Sequence, residues 1–444
     1  MGIDVTLEKI EDRPKRKNDP NTHNLEVIDF KVLLDNRTVD CYVAPSWSDS
    51  NGSIKNLDTT FNLSGLKIIP MPKYPCLFDL KIFREKQDFV FITNDQWNQP
   101  GYSLPLIELL RPFLHPIKLY MTFHSRSLFN IQRWTAFWNI FYPHCKGLIM
   151  YDFNKDCHDM NYFCGPAKNF LPVIFMNGTD GDYIFDSLES SRLDLYLGQK
   201  YNKSVVSYNV IGTLDGEDSS KIFVLCSLYD SWWCQGTADS AIGVGIVMAI
   251  AKYYAEHNIT PKYTMKFILF SGEEAGMRGA KYYEAVHKDE NIEYIIDINQ
   301  VGFTQNEPRQ TLDVVGNKKG FLDEVWSVVE RTDYVKRTGD SADIGRLLWS
   351  GGLIPSNPQP FAVSRLNCKA LAFFKDGGWV LHHRDGLNHT EGDVLKYFNW
   401  TDVLVTGEIV LNITKHFTID TNNEKIKNSD TTLTDVEAVD IRKT

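Results

Sequence analysis

Apolar and polar residues alternate along this chain with two periods. In "NLEVIDFKVLL" and "RTVDCYVAP" they alternate singly. That is the period of a half-buried strand, whose successive side chains point to opposite faces. Asp35-Asn36 between the two stretches predicts a hairpin turn. Polar residues with Gly and Ser, from Ser46 to Asn62, then mark a boundary. Short apolar runs follow, such as "KQDFVFIT" and "CKGLIMYDF", with the aromatic amphipathic stretch "LFNIQRWTAFWNIFYP" between them. "LPVIFMNGTDGDYIFDSLES" reads as strand, turn and helix. Together they predict a small α/β module that ends near Leu197.

After Leu197 longer strands alternate with helices. "KSVVSYNVIGTLDG", "KIFVLCSLYD", "KYTMKFILF", "IEYIIDINQVGF" and "CKALAFFKDG" are the strands. "SAIGVGIVMAIAKYYAEHN", "AGMRGAKYYEAVHKD", "GFLDEVWSVVERT" and "YFNWTDVLVTGEIVLNITKHF" are the helices. The first helix is apolar on most sides and is expected to be buried. This alternation predicts an α/β fold with a mostly parallel, mixed sheet sandwiched by helices. Residues 1–22 and 418–444 are polar and are expected to be disordered.

Composition narrows the picture. A chain of 444 residues suits two domains, or one with an insertion, and 43% hydrophobic residues suffice for packed cores. A net charge of -10 argues against non-specific nucleic-acid binding. The longest apolar stretch, "SAIGVGIVMAIA", is too short for a transmembrane segment. The start of the chain lacks the apolar core of a signal peptide. The eight cysteines include no CxxC pair, and without a secretion signal they are expected as reduced thiols in a cytoplasmic protein. Cys157, His158 and Cys164 lack the spacing of a zinc site. Gly2 and Thr6 fit a short myristoylation pattern, which we read as chance.

Chemistry enters at the strand ends, because open α/β sheets bind ligands beyond the carboxyl ends of their strands. Asp230, Asp239, Glu273, Glu274, Asp297 and Asn299 fall at such places, and His389 lies in the loop after the last strand. One acid there commonly caps a helix or faces water. Several that converge repel one another unless a cation neutralises them. Asp, Glu and His suit zinc, and three protein ligands with an open position make a catalytic site. Water held there loses a proton near neutral pH, and a carboxylate outside the ligand set can accept it. On this reading Glu274 is a ligand and Glu273 the base.

"SYNVIGTLDG", "LYDSWWCQGTADSAIGVG", "FSGEEAGMRGAKYY", "INQVG" and "NHTEGDV" occur in the order of a zinc exopeptidase family. The chain resembles that family over roughly Val205 to Phe417. The family includes secreted leucyl aminopeptidases and aminopeptidase Y, and is related to glutaminyl cyclase and the transferrin receptor. More weakly, the segment from "CKGLIMYDF" to "DSLES" resembles a protease-associated domain. The resemblance implies a zinc-exopeptidase, phosphorylase/hydrolase-like fold. It divides the chain into a disordered segment (1–22), N-terminal strands of the catalytic unit (23–62), a protease-associated-like domain (63–197), a catalytic domain (198–417) and a disordered tail (418–444).

The family binds two zinc ions through five positions. The resemblance implies Asp239 as the bridging ligand, Glu274 and His389 as terminal ligands and Glu273 as general base. Two positions depart. Leu228 stands for the His of the family's "HxDS", and Asn299 for the Asp of its "LDMVG". In the family these two serve the same zinc, so the resemblance implies one metal site kept and one lost. Asp230 matches the Asp that orients the missing His and is expected to cap or bond backbone. Asp393 is expected to structure its turn. Asp297 shares a strand face with Asn299, but at roughly 7 Å along the strand it stands too far off to replace a ligand directly. His382, His383, Trp232, Trp233 and Cys234 are read as loop and packing residues.

Three functions fit. The first is a single-zinc aminopeptidase acting on a peptide substrate, and the retained ligands and base favour it. The second is a single-zinc enzyme of the glutaminyl-cyclase kind. The third is an inactive homologue that acts as a scaffold. The helices that begin family catalytic domains are missing before "NLEVIDF", which predicts an exposed apolar surface and a homodimer that would cover it.

Overall fold

A computed structural model of the chain describes residues 2–10, 25–44, 46, 58–71, 79–94, 128–151, 170–201, 206–231, 235–274, 276–302, 312–329, 348–349, 354, 356–375, 393–398 and 400–419. Contacts divide the chain into two compact units, Met1–Asp12 with Val206–Thr444, and Arg13–Val205.

The chain opens with a strand, β1 (Asp4–Ile10), and then enters the Arg13–Val205 unit. That unit contains β2 (Leu25–Leu34), β3 (Arg37–Thr38), β4 (Cys41–Ala44), β5 (Thr59–Pro70), α1 (Leu80–Phe83), β6 (Phe89–Asn94), α2 (Leu128–Phe141), β7 (Cys145–Tyr151), β8 (Val173–Met176), α3 (Gly178–Asp186) and β9 (Arg192–Tyr201). Its sheet runs β3-β2-β9-β5-β6-β7-β8-β4, parallel from β5 to β8. The predicted turn at Asp35 and Asn36 is present, with φ of 49° and 65°. Two successive left-handed residues match the twist of a tight hairpin.

Two sequence expectations are corrected here. The strands within 23–62 do not join the catalytic unit. β2 and β5 both pair antiparallel with β9, inside the Arg13–Val205 unit. Alternation predicts that a strand exists but not its partner, and β9 carries this module past Leu197 to Tyr201. Residues 4–10, expected to be disordered, form β1 and pair antiparallel with residues 207–213. Backbone hydrogen bonds hold this edge strand while Val5 and Leu7 remain 61% and 65% exposed.

The other unit continues with β10 (Ser207–Leu214), β11 (Asp218–Leu228), α4 (Ile242–Glu256), β12 (Tyr263–Phe270), α5 (Arg278–Val286), β13 (Ile292–Gln300), β14 (Leu312–Gly316), α6 (Lys319–Val329), β15 (Leu348–Trp349), α7 (Gln359–Ser364), β16 (Lys369–Lys375) and α8 (Trp400–Thr418). The sheet order is β1-β10-β12-β11-β13-β16-β14-β15. Its centre, β12-β11-β13-β16, is parallel, and β10 and β14 flank it antiparallel. Helices α4, α6 and α8 pack on one face, through residues such as Ile246, Val325 and Val410. Helices α5 and α7 cover the other, through Ala280, Tyr283 and Phe361. This is the predicted sheet between helix layers.

Helix α4 buries a stripe rather than most of its surface. Ile242, Ile246, Ile250 and Tyr254 are buried, whereas Met248 is 60% exposed. Among the described residues no helix is long and apolar enough to cross a membrane.

Candidate functional site

Strands β11, β12 and β13 are mutually parallel through β11, so their carboxyl ends lie at one edge of the sheet. Asp230 follows β11, Glu273 and Glu274 follow β12, and Asn299 and Gln300 end β13. Asp239 sits in the turn Thr237–Ala241 that leads into α4, and its own φ and ψ (−120° and 75°) leave the helical region. The helix seats against β13 because residue 243 is glycine: a Cβ there would stand 2.2 Å from the Ile298 carbonyl oxygen.

Several bonds stitch the Asp239 turn in place. Asp393 accepts from the amides of Ala238 (2.8 Å) and Asp239 (3.3 Å). The Val301 amide donates to the Ala238 carbonyl at 3.2 Å. The Ser240 hydroxyl donates to the Asn299 carbonyl. Gln300 Nε2 donates to Asp239 Oδ2 at 2.9 Å. Asp393 thus structures a turn, although the turn is that of Asp239.

Asp230 performs the backbone role expected of it. It accepts from the amides of Glu273 (3.1 Å) and Glu274 (3.2 Å), and so fixes the turn after β12. Gly272 opens that turn at φ 65°, a conformation glycine adopts at no steric cost. The amides of Gly276 and Met277 then close it on the Glu273 carbonyl, each at 2.7 Å. Burial pushes the Asp230 carboxyl up to about 6, against the lowering effect of the two amides. Burial also pushes the half-buried Glu273 carboxyl well above its usual range, and the charges of Glu274, Asp239, Asp230 and Asp297 push it further.

Asp297 is fully buried and faces a different set of partners. It accepts from the Ser356 hydroxyl, from Asn357 Nδ2 at 3.4 Å and from Cys226 Sγ at 3.5 Å. Burial lifts its carboxyl to about 6 while these bonds lower it. Asn299 Nδ2 donates to the same Ser356 hydroxyl at 2.7 Å, so Asp297 and Asn299 do share a face. Leu228 is buried and offers no donor atom. Ser356, Asn357 and Gln300 were not singled out in the sequence. Ser356 and Asn357 stand in "SNP", a composition common to loops, and Gln300 lies inside "INQVG" beside Asn299.

His389 lies outside the described residues, as do His382, His383, Trp232, Trp233 and Cys234. Among the described residues no three His, Cys, Asp or Glu side chains form a metal-binding group. The donor chemistry nevertheless suits a cation. Carboxylates crowd one another here until Glu273 resists ionisation, and a divalent ion relieves such crowding.

Residues 209–414 match the model of Peptidase family M28. The matched region runs from within β10 into α8 and contains Asp230, Asp239, Glu273, Glu274, Asp297 and His389. A probable zinc metalloprotease of Pyrenophora teres f. teres (strain 0-1) is 30% identical over 168 residues, 35% of this chain and 33% of that protein. The chain therefore matches about a third of the length of that relative. A zinc aminopeptidase from Bacillus subtilis shares the fold with a TM-score of 0.60 at 15% identity, over 95% of this chain and 86% of its own. A peptidase M28 precursor from Shewanella amazonensis SB2B does so at 0.56 and 15%, over 93% and 83%. At such identities the likeness speaks for the fold.

Proposed function

We propose that the M28 region is a metallopeptidase site that removes residues from peptide N-termini with one zinc ion. The observation that carries this reading is the gathering of Asp230, Asp239, Glu273 and Glu274 at one edge of the sheet, with Asp230 bonded to both glutamate amides; burial and the neighbouring acids disfavour the charge on Glu273 there. Such a cluster ionises readily only with positive charge in its midst. Asp239 and Glu274 would hold the ion together with His389. Bound zinc would supply a water activated at neutral pH. Glu273 would take the proton of that water and return it to the leaving amine. Asp230 orients both glutamates through their amides, and Asp393 and Gln300 hold Asp239. Leu228 and the neutral Asn299 bring no charge to a second ion. We read the Arg13–Val205 unit as protease-associated-like.

Elemental mass spectrometry on untagged protein, purified without chelator, tests the metal. About one zinc per chain is expected of a three-ligand site with an open position. Glu273→Gln should keep that zinc and lose roughly 10²- to 10⁴-fold in peptide hydrolysis. A variant as fast as wild type would refute the base. No zinc, even with excess metal, would favour the scaffold reading. Ammonia released from N-terminal glutaminyl peptides would favour the cyclase.

A further inference from the structure

The Arg13–Val205 unit carries a surface that the peptidase reading does not use. Strands β5, β6 and β7 are parallel neighbours, with α1 between the first two in the chain and α2 between the last two. Two right-handed crossovers in one direction set both helices on one face of the sheet. Two side-chain ties join them there. The Asp79 amide, at the start of α1, donates to the Tyr142 hydroxyl, just past α2, at 2.8 Å. Asp88 and His144, a few residues further on, meet at 2.8 Å. Trp138 turns to the sheet, buried with its ring 4.5 Å from that of Phe91. Ile140 is two residues on, more than half a turn round the helix, and is 71% exposed. Phe141 beside it is exposed, and so are Leu80 (51%) and Phe83 of α1.

Charge sets this corner apart. Residues 79–88 hold three acids, and each is engaged. Asp79 caps α1 by accepting from the amides of Lys81 and Ile82. Glu85 pairs with Lys67 of β5 at 2.7 Å, and Asp88 lies 3.8 Å from Lys146 of β7. Lys81, Arg84 and Lys86 in the same stretch are exposed, and none forms an ion pair among the described residues. Large apolar side chains and unanswered cations thus share one corner of a protein whose net charge is -10.

We propose that this corner docks the protein onto an anionic phospholipid surface. Leu80, Phe83, Ile140 and Phe141 would enter the headgroup layer, and Lys81, Arg84 and Lys86 would meet its phosphates. An acidic protein is repelled by such a surface as a whole, so it approaches through a face with surplus cations. A second copy suits the corner poorly, because a two-fold contact would set these cations against themselves. The inference concerns the unit without the candidate metal site and stands apart from the zinc reading.

The test is co-sedimentation of full-length protein with vesicles, either of phosphatidylcholine alone or of equal parts phosphatidylcholine and phosphatidylserine. Binding to the second and not to the first is expected, and it should weaken as salt screens the charges. Each Lys or Arg near such a surface is worth about fivefold, so Lys81→Gln, Arg84→Gln and Lys86→Gln combined should weaken binding by roughly 10²-fold. Ile140→Asn should weaken it by roughly tenfold. Both losses support the inference, and the absence of either in a folded variant overturns it, because binding would then lie elsewhere on the chain or be purely ionic. Equal binding to phosphatidylcholine alone, or to neither vesicle, overturns it as well. So would polyglutamate bound as tightly as the anionic vesicles, which would assign the corner to an acidic protein segment. Melting temperatures check that each variant folds, and the three single substitutions carry the test if their combination does not.

Discussion

Two carboxylate clusters in the same unit handle charge in opposite ways. Around His287 each acid meets a base. Glu290 accepts from Lys266 at 2.6 Å and from Tyr283 at 2.8 Å. His287 lies between Glu290 (2.9 Å) and Glu8 (2.6 Å). Arg365 pairs with Glu284 at 2.6 Å and donates to the carbonyls of His287 and Glu290. At the strand ends, by contrast, Asp230, Asp239 and Asp297 accept from amides, hydroxyls and a thiol, and the acids raise one another. Burial alone would raise the Glu290 carboxyl, but its bonds to Lys266 and Tyr283 hold it below the usual range. Glu273, Asp230 and Asp297 are all pushed up instead. The first cluster is complete as it stands and ties β1, β12, α5 and the loop beyond it together. The second becomes complete only with positive charge, and that separates a candidate site from scaffold. The company the acids keep distinguishes the two regions, since both are rich in acids.

The sharpest way to break this contrast is pH, applied to metal-free protein. Asp297 moves from an ordinary 3.8 to about 6 on folding. A raised acid binds its proton more tightly in the folded state. It therefore opposes folding above about 6 and stops doing so below its ordinary value. From about 6 down toward 4, this group makes the folded state relatively more stable, by as much as about 3 kcal/mol in total. Glu290 has the opposite sign: its contribution is present above its ordinary 4.5 and is lost as pH falls through its lower folded value. Urea unfolding from about pH 3 to about pH 7 reads both. Asp297→Asn should flatten the change between pH 4 and 6 and be more stable than wild type at pH 7. An unchanged pH slope in that variant would mean that Asp297 carries no such penalty.

Next in size is Glu290→Gln, which removes the anion from the complete cluster. Lys266 has 13% of its side chain exposed and would lose its charge partner. Breaking one side of a largely buried pair costs more than the pair contributes, and about 2 kcal/mol at pH 7 is expected. The same unfolding experiment checks this. A neutral outcome would place Glu290 among ordinary surface acids and erase the contrast with Asp297.

The parts of this arrangement that were legible in the sequence are those fixed by local pattern. Apolar runs ending in Asp230, Glu273 and Asn299 located the strand ends, and the parallel centre of the sheet brought those ends together as the alternation with helices implied. The turn at Asp35 and Asn36 was legible because its chemistry is contained in two residues. What was hidden depends on distant partners. Nothing near Glu8 announces His287, which lies 279 residues away in the chain. Nothing near Asp297 announces Ser356, so an acid beside a lost ligand position looked more interesting than its hydrogen bonds make it. The bulge at Asn299 is a matter of pairing register, and a single strand does not display it.

The smallest effect should come from Glu8→Gln, and it asks whether β1 is held by its side chains at all. Glu8 accepts from Asn209 Nδ2 at 2.9 Å and contacts His287 at 2.6 Å, with 15% of its side chain exposed. Yet β1 pairs with β10 without a break from Asp4 to Ile10, so its backbone is secured independently of Glu8. A glutamine keeps one oxygen to accept with and loses only the charge. The cost should stay below about 1 kcal/mol, and amide exchange along β1 should slow or quicken little. Should β1 instead exchange as though unfolded while the rest of the sheet stays protected, the His287 cluster would be a latch on the chain's first strand. The contrast would then lie between a latch and a site.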